Sequence, residues 1–188
     1  MEYKFTEPTD SGGRILESTM GANAGLRPLC ETDPPLISAA FEAVGWSKPV
    51  AIYQRYLAEQ TSGNRVCTVA TVEGRFAGYV TINWNPDYPG YAGPIPEIQD
   101  LNVLPDFRRR GIASKLLDWA EAEAANRSNQ VGIGVGLHPG YNAAQRLYGK
   151  RGYVPDGLGI IYRGRFVHEG ETIILDDNLV MHLIKRLG

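Results

Sequence analysis

The stretch Ile98-Gln99-Asp100-Leu101-Asn102-Val103-Leu104-Pro105-Asp106-Phe107-Arg108-Arg109-Arg110-Gly111-Ile112-Ala113 carries a strand into a proline turn, a cationic bend and the start of a helix. Glu97–Leu104 reads as the strand, and Pro105-Asp106 stops it, because proline offers no N–H to a ladder. Gly111–Asn126 reads as the strongest helix in the chain, with Ile112, Leu116, Trp119, Ala120 and Ala124 as its buried stripe. Amides at a helix start have no intrahelical partner, and the helix dipole favours negative charge there. Gly111 and Ala113 keep side-chain bulk away, so a phosphate can approach the main chain closely. The segment therefore predicts a pyrophosphate cradle, with Arg108, Arg109 and Arg110 adding positive charge around it.

Working outward, Val131, Ile133, Val135 and Leu137 alternate with Gly132, Gly134 and Gly136, which predicts a strand with one branched and one bare face. Strand 97–104, helix 111–126 and strand 130–137 form a βαβ unit, so the two strands should run parallel. Upstream, Leu26–Leu29 reads as a short strand. A helix capped by Thr32 or Asp33 follows, with Leu36, Ile37, Ala40, Phe41 and Val44 at helical spacing and Gly45 at its end. Pro49–Gln60 reads as a second helix. Arg65–Val72 and Arg75–Trp84 read as a hairpin across Glu73-Gly74. Asn85–Pro96 must be a loop, because it holds Pro86, Pro89, Pro94 and Pro96. Downstream, Tyr141–Arg151 is a helix closed by Gly152. A small hairpin across Arg163-Gly164 and a closing strand at Leu179–Lys185 follow. This order is α/β in class, a mixed central sheet with helices.

At 188 residues, with 43% hydrophobic and 21% charged side chains, the chain has the size and composition of a single soluble domain. Residues 1–24 are polar and without period, and read as a mobile extension; 25–188 form the domain. A net charge of −2 argues against a nucleic-acid face, the arginine triplet being local. Cys30 and Cys67 lie in no metal-ligand spacing and fit a reducing compartment better than a disulfide. No apolar run approaches the ~20 residues that span a bilayer. Glu2, Lys4, Glu7, Asp10 and Arg14 interrupt any leader-like stretch. The expectation is a cytoplasmic protein with neither nucleic acid nor membrane as partner.

The bend from Arg108 to Ala113 resembles the acetyl-CoA motif of the GNAT superfamily of N-acetyltransferases, written (Gln/Arg)-x-x-Gly-x-(Gly/Ala). The segment before it resembles the family's fourth strand and turn. Asn142, Ala144, Tyr148, Gly152 and Tyr153 fall at the family's spacing for its last helix and next strand, so the resemblance covers about Leu26 to Leu187. It implies the GNAT fold, a central twisted mixed sheet flanked by helices, and acetyl-CoA as co-substrate with no metal. It also implies roles. Leu101 and Val103 would lie at the cofactor, with the Val103 N–H bonding the thioester oxygen as it becomes an anion. The backbone of Arg109, Arg110, Gly111, Ile112, Ala113 and Ser114 would hold the pyrophosphate, beside Arg108. Strands 97–104 and 130–137 would splay to admit the pantetheine arm. Asn142 would bond that arm, or cap its own helix, and Tyr148 would protonate the departing thiolate.

Many family members carry a glutamate base one position before the aspartate of the Asp-Leu pair, where this chain has Gln99. Glu97, two residues earlier on the same strand face and acting through water, is the first candidate that remains, and Asp100 is the second. The implied reaction is acetyl transfer from acetyl-CoA to a primary amine. Asp87, Glu97 and Asp100 suit a small cationic acceptor, and a protein N-terminus or lysine is the competing class. A non-catalytic acyl-CoA sensor is the alternative that Gln99 favours. Trp84, Tyr88 and Tyr91 either form an acceptor pocket or pin the proline-rich loop. His138, His168 and His182 have no evident partner in the sequence, and the closing strand is a possible homodimer edge.

Overall fold

A computed structural model describes residues 24–91 and 95–188; most of the expected 1–24 extension, and part of the proline-rich loop, lie outside that range. Strands β1 (Gly25–Pro28), β2 (Arg65–Val72), β3 (Arg75–Asn83), β4 (Glu97–Val103), β5 (Gln130–Gly136), β6 (Val154–Tyr162), β7 (Arg165–Phe166) and β8 (Leu179–Arg186) form one sheet in the order β1-β2-β3-β4-β5-β8-β6-β7. Every pairing is antiparallel except β4 with β5. Helices α1 (Asp33–Glu42), α2 (Val50–Thr61), α3 (Ile112–Ala125) and α4 (Asn142–Lys150) complete the described fold. Ala24, read as part of the extension, is buried, and its carbonyl accepts a hydrogen bond from Lys115 Nζ.

Helices cover both sheet faces at its centre. Tyr79 of β3 meets Phe41 of α1 and Tyr53 of α2 edge-on. Val80 and Ile82 point the other way from neighbouring positions and are equally buried, with α3 packed along β3, β4 and β5. Leu116, Leu117, Ala120 and Ala124 fill the inner face of α3. Leu117 belongs to that stripe, whereas Trp119 sits at its margin. In α1 the buried line runs through Ile37 and Phe41; Leu36 is 61% exposed, one step round the helix from it. Thr32 makes no capping bond. Asp33 instead takes a bidentate pair from Arg27 at 2.6 Å and the Cys30 N–H at 2.8 Å, fastening β1 to α1.

Two features of the sheet create the cleft. First, β4 carries a bulge: Gln99 pairs with Thr81 but Asn102 with Tyr79, so β4 has one residue in excess, and Asp100 takes φ 54°. A bulge bends its strand and increases the local twist. Second, the parallel β4–β5 ladder holds only at Glu97↔Gly132 and Ile98↔Ile133. Beyond those pairs the strands part, and β5 pairs along its whole length with β8. The closing strand is thus inserted between β5 and β6, with both edges occupied. That corrects the expectation that it offers an edge to a second copy. Asn142 is the first helical residue of α4, while Tyr141 holds the cap position without a side-chain bond, so the capping role expected of Asn142 is absent.

Gly78 is where β3 meets the bulge. A Cβ there would lie 2.3 Å from the Asn102 carbonyl oxygen, which is main chain and cannot swing aside. Gly78→Ala is expected to destabilise the protein by about 1–3 kcal/mol through this overpacking. Denaturant unfolding of the variant beside the parent checks it, and equal midpoints would rule out the close approach as a constraint.

Candidate functional site

A cleft of about 1210 Å³ opens where β4 and β5 separate. Leu101, Val103, Arg108, Arg109, Gly111, Ile112, Ala113 and Ser114 line it, as do Glu97, Asp100 and Tyr148. Arg110 and Asn142 fall outside the lining, although chain neighbours of each are in it. Arg110 stacks over the Phe107 ring with its guanidinium carbon 5.6 Å from the centroid. Asn142 is exposed and outside the lining.

The bend before α3 is built from left-handed residues: Arg109 at φ 60° and Gly111 at φ 78°. Gly111 is the helix cap, and among the described residues no side chain caps α3, whose first turn lines the cleft. Open space lies where a Gly111 side chain would be. The Arg108 Nε donates to the Val103 carbonyl at 3.2 Å, and its guanidinium lies over Trp46 at 5.1 Å. The Leu104 N–H donates to Ala77 on β3. Successive strand amides point to opposite edges, so the Val103 N–H faces the edge that β5 has left. These observations fit a phosphate-bearing ligand at one end and a polarised oxygen at Val103. Tyr148 is buried, and burial, with a smaller contribution from Tyr141, pushes its phenol up. It therefore keeps its proton at neutral pH.

The carboxylates of β4 have opposite surroundings. Asp100 receives Lys48 Nζ at 2.7 Å, Tyr56 OH at 3.0 Å, Asn102 Nδ2 at 2.9 Å and the Tyr79 hydroxyl. Burial would raise its carboxyl, but the Lys48 charge and the hydrogen bonds from Lys48, Tyr79 and Tyr56 hold it below its ordinary value. An acid so fully occupied is a poor proton acceptor. Glu97 is also buried, but among the described residues only one oxygen is taken, by Gln99 Nε2 at 2.5 Å. Gln99 is oriented in turn by Arg65, whose Nη1 donates to Gln99 Oε1 at 3.0 Å and to Thr81 at 2.9 Å, while its Nε meets Glu59. Arginine can only donate, so the Gln99 amide must turn its NH₂ to Glu97. A glutamate at position 99 would instead set two carboxylates against each other.

His182 of β8, given no partner in the sequence reading, lies with Nε2 3.6 Å from Glu97 Oε1. Tyr88 stacks on it at 3.6 Å between centroids and bonds Asp156; Tyr91 bonds the Leu183 carbonyl at 2.9 Å and lies where a Gly132 side chain would be. Trp84 lies under Arg127. None of the three lines the cleft among the described residues, and Tyr88 and Tyr91 fasten the loop to β8 and β6. Asp87 is exposed outside the cleft. Lys48, Arg65 and His182 come from three separate elements or loops, and no local pattern announces them. The one usable signal was the glycine alternation, of which Gly134 opens into the cleft.

Residues 35–153 match the model of the Acetyltransferase (GNAT) family. No curated protein matches the sequence. Among solved structures, an N-acetyltransferase from Staphylococcus aureus Mu50 superposes with a TM-score of 0.67 at 19% identity, over 88% of this chain and 99% of the other. The yncA protein of Salmonella typhimurium, whose structure holds its cofactor acetyl-CoA, gives 0.62 at 20% identity over 88% and 94%. A ribosomal-protein-alanine N-acetyltransferase from Brucella melitensis gives 0.63 at 21% over 86% and 99%. At such identities the likeness is one of fold.

Asp100 has a testable consequence for stability. A carboxyl held below its ordinary value contributes stability above the unfolded-state pKa of about 3.9 and loses it as pH falls through the folded value. Asp100→Asn is expected to cost about 2 kcal/mol at neutral pH. The gap from the parent should narrow in acid, as urea titrations at several pH values would measure. A gap independent of pH would remove the ionised pair from the account.

Proposed function

This chain belongs to the acetyltransferase (GNAT) family, and on that premise we propose that it transfers an acetyl group from acetyl-CoA to the nitrogen of a small cationic amine. One observation carries the reading: Glu97, the Val103 N–H edge and Tyr148 line the same cleft, beside the uncapped start of α3. The first-turn amides from Gly111 to Ser114, with Arg108 and Arg109, would hold the pyrophosphate. Acetyl-CoA supplies a thioester whose acyl carbon bonds to the acceptor nitrogen as its carbon–sulfur bond breaks.

Glu97 takes the first proton from the acceptor ammonium, which is otherwise protonated at neutral pH with a pKa near ~10. Val103 N–H donates to the acyl oxygen as it gains charge, a contribution on the order of 10²–10³ in rate for one fixed donor. Tyr148 gives its phenolic proton to the leaving sulfur and regains one through solvent when the nitrogen sheds its second. Glu97 returns its proton to water, so the reaction releases one proton in all. Asp100 acts through structure rather than by proton transfer: it holds the bulge that turns Val103 to the cleft. A cationic acceptor suits the buried Glu97 carboxylate, one oxygen of which Gln99 leaves unclaimed in the cleft.

Release of free thiol from acetyl-CoA, screened against small amines and short peptides, tests the proposal and separates the acceptor classes. Tyr148→Phe and Glu97→Gln are each expected to lower kcat by ~10²-fold or more while acetyl-CoA still raises the melting temperature. Full turnover in either variant would remove that residue from the mechanism. Tight acetyl-CoA binding with no thiol release for any acceptor would favour a sensor.

A further inference from the structure

His182 and Gly134 remain without a role in the scheme above, and the structure brings them to the same point. They pair across β5 and β8, and both line the cleft with Glu97. Of the three glycines on the bare face of β5, Gly132 is covered by Tyr91 and Gly136 by Tyr141. Gly134 alone is partly exposed. A Cβ at Gly134 would lie 3.5 Å from His182 Nε2 and 3.6 Å from Glu97 Oε1. The missing side chain thus leaves space beside both polar atoms. Their own separation, 3.6 Å, is too long for a direct hydrogen bond and leaves room for one oxygen bonded to each.

The tautomer of His182 follows from its other nitrogen. Among the described residues, Nδ1 is buried with no partner. A proton there would be a buried donor with nothing to receive it, a cost that folding avoids. The proton therefore sits on Nε2 and points toward Glu97. The ring is held in place by the Tyr88 stack, 8° from parallel, and by the edge of Tyr91 at 5.5 Å.

Resting on the acetyl-transfer reading, we infer that His182 is a positioning residue: its Nε2–H and Glu97 Oε1 hold one water over Gly134, through which the acceptor ammonium passes its proton to Glu97. The water oxygen accepts from His182 and from the ammonium, while one of its hydrogens moves to Glu97 Oε1. The ammonium proton replaces it, leaving a neutral amine and an intact water. The strut from Arg65 through Gln99 fixes the other Glu97 oxygen, so that Oε1 faces this point.

Substitutions that separate the ring from the donor test this. His182→Phe keeps a ring for Tyr88 and loses the N–H; His182→Gln loses the ring and keeps a side-chain N–H donor of similar reach. Thiol release from acetyl-CoA would be followed with spermidine, lysine and an alanine-initiated peptide as acceptors, beside the melting temperature of each variant. His182→Phe should lower kcat about 10-fold or more with the acetyl-CoA KM unchanged, and His182→Gln should stay within about 3-fold of the parent. A fully active Phe variant, or a Gln variant that loses as much as Phe, overturns the inference.

Gly134→Ala gives an independent measurement. Its backbone is not in the left-handed region, and its methyl would meet Val180 Cγ1 at 3.0 Å while filling the space over the pair. It should fold and bind acetyl-CoA but lose kcat to a similar degree; unchanged turnover overturns the water site. A parent enzyme silent with every acceptor would instead overturn the acetyltransferase reading, and this inference with it.

Discussion

Asp100 occupies a left-handed backbone position in the middle of a strand. A non-glycine residue stays there when its surroundings favour it, and here Lys48, Tyr56 and Tyr79 converge on the carboxylate from three other segments. That cluster fixes the bulge. The bulge turns β4 from β5, and the parting of the strands makes the cleft and leaves the Val103 N–H at an unpaired edge. Gly78 completes the arrangement by letting β3 approach the displaced chain. The cluster is one charged pair with three neutral donors, so its buried charge is matched rather than stranded.

The same strand holds two acids whose chemistry differs because their partners differ. Asp100 is surrounded by donors that stabilise its ionised form. Glu97 keeps one oxygen directed at the cleft while Gln99 holds the other. The glutamine at position 99 is then no defect. It converts the donors of Arg65 into a neutral support for a carboxylate two residues away, where a second acid would have repelled it.

The glycines of β5 show how one periodic signal can have several physical causes. Gly132 and Gly136 make room for tyrosine rings, Gly134 and Gly136 line the cleft, and Gly134 alone of the three is half-exposed. The alternation in sequence identifies a bare strand face. Which atoms use that face depends on loops and strands that arrive from far along the chain, among them the closing strand with His182.

The local features were readable before any fold was known. The 3.6-residue stripe of α3, the glycine at its start, the proline stops and the parallel βαβ unit each depend on neighbours within a few turns, so the bend at Arg108–Ala113 and Tyr148 on the last helix could be named from spacing and resemblance. Tertiary structure decided the rest. It placed Arg110 on Phe107 and Asn142 in solvent, inserted the closing strand between β5 and β6, and gave Glu97 and Asp100 different partners. The physical reason is reach. Backbone propensity and side-chain periodicity act over a few residues, whereas the protonation and orientation of a buried acid are set by whichever charges and donors the folded chain brings within a few ångströms of it.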